Sequence, residues 1–122
     1  MSPLKLLHNP RCSKSREALA LLREQSIEPE IIEYLKTPLD LATLDRLCSA
    51  LQREPQDLIR FKEDLAKQLD LHANDTRPRQ EWLQLLAQHP VLLERPIAWQ
   101  GDSAAIGRPT EALAEWLETL QR

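Results

Sequence analysis

The sequence is poor in the residues that several common kinds of functional site require. It has two glycines in 122 residues, so it offers no glycine-rich loop that could cradle a nucleotide phosphate. Two cysteines are too few for a disulfide framework. The three histidines, His8, His72 and His89, are scattered among unrelated segments and do not give the ligand spacing of a structural zinc site. No metal site is therefore expected.

Long apolar runs and an excess of positive charge are missing as well. No apolar run approaches the roughly 20 residues that span a bilayer, and the N-terminus lacks the basic start and apolar stretch of a signal peptide. The net charge of −3 offers no general attraction for nucleic acid, so an anion site must be built from a few local cations. We expect a cytoplasmic protein that binds neither membrane nor nucleic acid.

The hydrophobic pattern predicts an α/β fold. Leu4–His8 is a short apolar segment that stops at Asn9-Pro10, and the following stretch from Ser13 to about Gln25 has helical periodicity. A second strand is predicted around Ile31–Tyr34. A strand, a helix and a strand within some 30 residues form a βαβ unit, so the two strands should be parallel.

The middle of the chain, from about residue 38 to 89, is predicted to be an all-helical insertion between strands 2 and 3. Thr37 should cap its first helix with Pro38 in the first turn, and a shorter helix should cover Pro55–Arg60. Beyond it, the pattern predicts a hairpin of Pro96–Trp99 and Ser103–Ile106, then a final helix opened by Pro109. We expect one domain over residues 1–122, with a four-stranded mixed sheet flanked by helices.

Cys12 is the strongest candidate for a reactive group. It lies where the first strand gives way to the first helix, so free backbone N–H groups and the positive end of the helix dipole should face its sulfur and favour the thiolate. Its neighbours Arg11, Lys14 and Arg16 add positive charge, and the hydroxyls of Ser13 and Ser15 are potential donors. The alternative, a buried inert cysteine, fits these polar neighbours poorly.

Spacing around Cys12 excludes two familiar chemistries. Three residues separate Cys12 from Arg16, whereas cysteine phosphatases place five between their cysteine and arginine. The segment Cys12-Ser13-Lys14-Ser15 lacks the second cysteine of a dithiol oxidoreductase, so an external thiol must resolve any covalent product. Cys48 lies in a leucine stripe and is expected in the core, with a resolving thiol as the alternative.

Four other side chains are candidates whose roles local sequence leaves open. His8 precedes Cys12 by four residues and suits a cap, a pocket wall or a cation near the thiolate equally well. Arg95 and Arg108 each precede a proline, which holds them in extended backbone, and Arg60 should close a short helix. Taken singly, each arginine could also be solvated surface charge.

Together these residues strongly resemble the ArsC-type arsenate reductases, the glutathione- and glutaredoxin-coupled enzymes with a thioredoxin-like fold. The resemblance rests on the segments His8–Arg16, Glu94-Arg95-Pro96-Ile97 and Gly107-Arg108-Pro109 with Arg60, in order along essentially the whole chain. Because Cys12-Ser13-Lys14-Ser15 stands where the plasmid-borne enzymes have Cys-Gly-Thr-Ser, the chain resembles the chromosomal branch of the family more closely.

The resemblance implies a role for each of these residues. Cys12 would be the nucleophile that attacks arsenate, His8 and Ser15 would support its thiolate, and Pro96 would be a cis proline. The oxyanion would be bound by three arginines, Arg60, Arg95 and Arg108. Glutathione would be a co-substrate, glutaredoxin would clear the mixed disulfide, and the protein would be a monomer with no bound cofactor.

Two other functions remain open at this level. Spx-like regulators share the fold and bind RNA polymerase, but they usually carry a second cysteine where this chain has Ser15. A glutathione-dependent thiol reductase acting on another substrate is the second alternative, although such a reaction does not need three oxyanion-binding arginines.

Overall fold

A computed structural model describes residues 3–120. The strands and helices are, in chain order, β1 (Lys5–Leu7), α1 (Ser13–Glu24), β2 (Glu30–Ile32), α2 (Leu41–Leu51), α3 (Asp64–Gln68), α4 (Arg79–Gln88), β3 (Ile97–Gln100), β4 (Ser103–Ile106) and α5 (Thr110–Leu120). Short 3₁₀ turns lie at Pro55–Leu58 and Pro90–Leu92. No helix within residues 3–120 is long and apolar enough to cross a bilayer.

The chain forms two compact units. One contains the residues up to Thr37 and those from Arg95 onward, and the other is Pro38–Glu94. The first holds all four strands, and the second holds α2, α3 and α4. The predicted helical insertion corresponds to this second unit, while the prediction of a single domain over the whole chain stays a prediction.

A four-stranded mixed sheet is the frame of the first unit, as predicted. The strand order is β2-β1-β3-β4, with β1 and β2 parallel and the other neighbours antiparallel. The α/β thioredoxin-like class expected from the sequence is thereby confirmed. β1 and β3 are the two inner strands, so each of them pairs with a neighbouring strand on both sides.

Helices α1 and α5 supply the apolar side chains that cover the sheet. Their contribution follows the i, i+4 spacing of a helix face, since Ala18 and Leu22 of α1 are both inaccessible to solvent. These side chains join a buried cluster with Leu4, which precedes β1, and with members of β1, β3 and α5: Leu6, Ala98, Leu113, Trp116 and Leu117.

Helix α2 begins three residues later than the sequence pattern predicted. Its N-cap is Asp40, whose carboxylate accepts a hydrogen bond from the Thr43 N–H at 2.8 Å, so Thr37 was the wrong cap. A carboxylate at this position satisfies a free N–H and faces the positive end of the helix dipole. The Thr37 hydroxyl instead donates to the Glu33 carbonyl.

The prediction of a helix over Pro55–Arg60 was also wrong at its end. The turn stops at Leu58, and Ile59 forms an antiparallel bridge with Leu93. Arg60 follows in this extended stretch, where its N–H donates to the Leu92 carbonyl at 2.8 Å. Backbone pairing with a distant segment replaces the last helical hydrogen bonds, and local periodicity does not report such pairing.

Replacement of Leu22 by alanine should destabilise the protein. Leu22 is fully buried in the cluster between α1 and the sheet, and truncating such a leucine costs about 2–5 kcal/mol. Urea unfolding followed by circular dichroism measures the change. Leu35, which is 41% exposed, provides the matched control: Leu35→Ala should change the free energy of unfolding by less than about 0.5 kcal/mol. Equal effects for both variants would contradict this account of the core.

Candidate active site

The loop between β1 and α1 is shaped by the Asn9-Pro10 pair. The Asn9 side chain accepts a hydrogen bond from the Arg11 N–H at 3.0 Å, and the Asn9 carbonyl accepts one from the Cys12 N–H at 2.9 Å. Asparagine and proline favour such turns because the first bonds its own backbone and the second fixes its φ angle. The turn delivers Cys12 to the N-cap of α1, with φ −93° and ψ 123°.

The pairing of the strands brings three distant segments to this loop. Leu7 at the end of β1 pairs with Ile97 at the start of β3, and Ile97 pairs with Ile106 at the end of β4. The residues that flank this row therefore lie at the same edge of the sheet. They are the Cys12 loop, the Arg95-Pro96 segment and the Gly107-Arg108 segment.

Arg95 and Arg108 both contact the sulfur of Cys12. Arg108 Nη2 lies 3.4 Å from Cys12 Sγ, and the Arg95 guanidinium is near enough to lower the pKa of the Cys12 thiol through hydrogen bonding and positive charge. Arg108 Nε donates to the Arg95 carbonyl, so the two arginine segments are joined to each other. The structure thus brings together two of the three arginines singled out in the sequence.

Both Arg-Pro peptide bonds are cis. The first, Arg95-Pro96, is the one that the family resemblance implied. The second, Arg108-Pro109, was not anticipated, because cis is a minority state for a proline and no local residue pattern marks it.

The environment of Cys12 favours the thiolate. Partial burial by itself raises the pKa of the Cys12 thiol, but the Ser15 backbone N–H and the Arg95 guanidinium outweigh that effect, with a smaller contribution from the Lys14 backbone N–H. The net result is a pKa below the ordinary value of a cysteine. Cys12 is also partly exposed, so the sulfur is open to reactants. A low thiol pKa combined with exposure is what distinguishes reactive cysteines from structural ones.

His8 and Ser15 lie beneath the loop and bond to each other. His8 Nδ1 and Ser15 Oγ are 2.7 Å apart, and Ser15 Oγ also accepts the Asn9 N–H at 3.0 Å. Both residues are buried. Burial lowers the pKa of His8, and the charge of Glu33 offsets this only in part. The Ser15 hydroxyl therefore holds the loop in place, while the Ser15 backbone N–H donates to the sulfur of Cys12.

Arg16 has a structural contact that the sequence did not reveal. Its Nη1 donates to the Pro10 carbonyl at 2.9 Å and closes the turn from the helix side. Lys14 instead pairs with Glu17 at 3.5 Å along the exposed face of α1. Of the cations near Cys12 in sequence, Arg16 thus supports the loop, and Lys14 contributes its backbone N–H to the sulfur.

Arg60 belongs to the helical unit and is paired there with two acidic side chains. Its Nη1 is 2.8 Å from a Glu63 oxygen, and its Nε is 3.6 Å from a Glu94 oxygen. These ion pairs occupy the guanidinium of Arg60, in contrast to Arg95, whose Nε is buried without a hydrogen-bond partner among the described residues.

Cys48 is a core residue, as the leucine stripe predicted. It is 1% exposed in the helical unit, and burial raises its pKa to about 11. A thiol with that pKa is almost wholly protonated at neutral pH. Within residues 3–120, no group of three or more His, Cys, Asp and Glu side chains is arranged to hold a metal ion.

The geometry is suited to nucleophilic attack on an anion. The thiolate lies at a helix N-terminus, where backbone N–H groups bind negative charge. Two guanidinium groups beside it present planar, fixed donors that match the oxygens of a tetrahedral oxyanion. The unpaired Arg95 Nε supplies a buried donor that such an anion would satisfy.

Comparison with known proteins identifies close relatives over nearly the whole chain. A family model described as the ArsC family matches residues 7–116. The chain is 46% identical over 113 residues to uncharacterized protein YfgD of Escherichia coli K12, covering 92% of this chain and 94% of that protein. It is 45% identical over 112 residues to an arsenate reductase of Neisseria meningitidis, covering 91% and 95%.

A solved structure has the same fold. The arsenate reductase from Vibrio cholerae superposes with a TM-score of 0.87 at 40% identity, covering 93% of this chain and 97% of that one.

The alkylation rate of Cys12 should rise with pH around a midpoint below about 8.5, the value of a free cysteine. A lowered pKa means that the thiolate forms at lower pH, so the curve shifts towards acid. Iodoacetamide labelling in a Cys48→Ala background leaves one thiol to measure. Arg95→Ala should move the midpoint upwards, because it removes both a donor and a positive charge. A wild-type midpoint at or above that of free cysteine would contradict this description of the site.

Proposed function

Because the chain belongs to the ArsC family, we propose that it is an oxidoreductase that reduces arsenate, with Cys12 as the nucleophile. The observation that carries the proposal is the convergence of Arg95 and Arg108 on the Cys12 sulfur from two separate segments. One arginine would be enough to stabilise a thiolate. Two, joined to each other, also provide donors for the oxygens of a substrate that the sulfur attacks.

In the first step the Cys12 thiolate attacks arsenic. A sulfur–arsenic bond forms, and one hydroxyl group of arsenate takes up a proton from solvent and leaves as water, so arsenic remains in the +5 state. Arg95 and Arg108 stabilise the remaining arsenate oxygens, and the α1 N-terminus faces the same charge.

The second step is the reduction. The thiolate of glutathione attacks Cys12 Sγ, the sulfur–arsenic bond breaks, and its electron pair stays on arsenic. Arsenic is reduced from +5 to +3 and leaves as arsenite, while the two sulfurs are oxidised to a mixed disulfide. Glutaredoxin then attacks the glutathione sulfur of this disulfide and releases the Cys12 thiolate.

External thiols are required because the chain supplies none. Cys48 is the only other cysteine in the sequence, and it is buried with its pKa raised to about 11. This supports the use of external thiols, for which we propose glutathione and glutaredoxin. In the proposal these are separate reactants, and the protein is a cytoplasmic monomer with no bound cofactor. Membrane and nucleic acid have no part in the proposal.

His8 and Ser15 act in this proposal by holding the loop. Their mutual hydrogen bond and the Asn9 N–H contact keep the Ser15 backbone N–H aimed at the sulfur. An oxyanion-binding role for Arg60 stays a prediction of the family resemblance. Its guanidinium is engaged by Glu63 and Glu94, so the proposal depends on Arg95 and Arg108.

A coupled assay tests the function directly. With arsenate, glutathione, glutaredoxin, glutathione reductase and NADPH, the wild type should consume NADPH in an arsenate-dependent manner. Cys12→Ser should abolish this consumption, since a serine hydroxyl is not ionised at neutral pH and forms no disulfide. Cys48→Ala is the matched control and should retain activity. Arsenate-dependent consumption no greater than that of Cys12→Ser would remove the proposal.

The two arginines should affect arsenate turnover specifically. Arg95→Ala and Arg108→Ala should each lower kcat/KM for arsenate by about 10- to 100-fold, the effect of losing a charge-assisted hydrogen bond. Arg46→Ala is the control and should have no effect, because it removes an exposed arginine of α2 whose guanidinium donates to the Thr43 hydroxyl. If both arginine variants kept full activity with arsenate and with a small disulfide as substrate, the result would instead favour a thiol reductase.

A further inference from the structure

We propose that Gly107 is a positioning residue, whose lack of a side chain allows the Gly107-Arg108 and Arg95-Pro96 segments to meet and thereby sets Arg95 against Cys12. The inference deepens the proposed arsenate chemistry and rests on it for its consequence in catalysis. Gly107 itself touches neither the sulfur nor a substrate in this proposal, and it acts through Arg95.

Direct contacts between the two segments support the proposal. The Gly107 N–H donates to the Pro96 carbonyl at 2.8 Å, and Arg108 Nε donates to the Arg95 carbonyl. Two consecutive residues of one segment thus hold two consecutive carbonyls of the other. Both bonds lie just outside the pairing of Ile97 with Ile106 and extend the contact between β3 and β4 to the edge where Cys12 lies.

The space at Gly107 explains why a larger residue would disturb this contact. Gly107 is buried, and a Cβ placed on it would lie 3.0 Å from Pro96 Cγ and 3.7 Å from both the Pro96 carbonyl oxygen and Leu113 Cβ. A separation of 3.0 Å is well inside the optimal carbon–carbon distance of about 3.5–4.0 Å. Pro96 would have to move, and Arg95 is bonded directly to it.

The requirement for glycine at this position is spatial. The backbone of Gly107 does not lie in the left-handed region, whereas the other glycine, Gly101, has a φ of 59° in the hairpin turn between β3 and β4. Gly101 therefore needs glycine for its conformation. The two glycines of the sequence thus meet different physical demands, one of space and one of backbone conformation, and they can be compared directly.

The test measures whether Gly107 acts through Arg95. The pH midpoint of Cys12 alkylation is determined in four proteins with Cys48→Ala: the parent, Gly107→Ala, Arg95→Ala and the double variant. Gly107→Ala should raise the midpoint, because the Arg95 donor is displaced from the sulfur. In the Arg95→Ala background the same change should have no further effect, since residues coupled in this way are not additive. Equal midpoint shifts in both backgrounds, or no shift in either, would overturn the proposal.

Gly101→Ala separates a positioning effect from a loss of stability. It should lower the thermal unfolding midpoint through its strained turn but leave the alkylation midpoint unchanged. Gly107→Ala should shift the alkylation midpoint and raise KM for arsenate at least fivefold at a similar stability. If Gly101→Ala shifted the Cys12 midpoint as much as Gly107→Ala, the effect would be structural and the proposal wrong.

A second variant and a readout that does not depend on arsenate complete the test. If Gly107→Ala does not yield folded protein, Arg108→Lys takes its place in the cycle, because lysine keeps the charge but lacks the Nε that holds the Arg95 carbonyl. Its midpoint shift must be smaller in the Arg95→Ala background, where only the direct contact of Arg108 Nη2 with Cys12 Sγ is still lost; an equal shift in both backgrounds would overturn the proposal. The alkylation midpoint requires no arsenate turnover. An enzyme inactive on arsenate would thus refute the proposed function, while an unaltered midpoint in Gly107→Ala would refute the role of Gly107.

Discussion

The stabilisation of the thiolate form of Cys12 is the feature on which the rest of the site depends. Partial burial of the sulfur opposes that charge, and the balance is reversed only because donors arrive from more than one segment: backbone N–H groups of α1 and the Arg95 guanidinium. The fold therefore holds the loop after β1 against segments from the C-terminal part of the chain.

Strand pairing brings these segments to the loop. The row formed by Leu7, Ile97 and Ile106 crosses β1, β3 and β4, and the functional side chains extend from the residues just beyond it. Because a shift of one residue in register turns every side chain to the opposite face, the position of Arg95 is as much a consequence of the buried β1–β3 pairing as of its own sequence. The hydrogen bonds from Gly107 and Arg108 continue the same pairing where the strands have ended.

This distinction explains which features could be predicted from the sequence. The strand and helix around Cys12 were recognised because their signals are local: an apolar segment, an Asn-Pro turn and helical periodicity with Cys12 at the boundary. The Thr37 cap and the helical end at Arg60 were wrong because each depended on a choice between neighbouring possibilities. At Arg60 that choice is decided by pairing with Leu92 and Leu93, more than thirty residues away in the chain. The bond from Arg108 to the Arg95 carbonyl also joins distant segments. The family resemblance implied three oxyanion-binding arginines, Arg60, Arg95 and Arg108, without indicating that the last two hold each other.

The partial exposure of Cys12 suits a site in which one thiol must react with successive partners. Cys48 is buried in the helical unit and protonated at neutral pH, so a cycle that ends in a disulfide must admit a second reactant to the same sulfur. A fully buried thiolate would exclude that reactant, and a fully exposed one would lose the hydrogen bonds that lower its pKa. Backbone donors resolve this conflict, because the N–H groups of Lys14 and Ser15 stabilise the sulfur from the helix end without covering it with side chains. The arginines then need to approach only from the sheet edge, and Ser15, with its hydroxyl bonded to His8 and the Asn9 N–H, fixes the loop from below rather than competing for the sulfur.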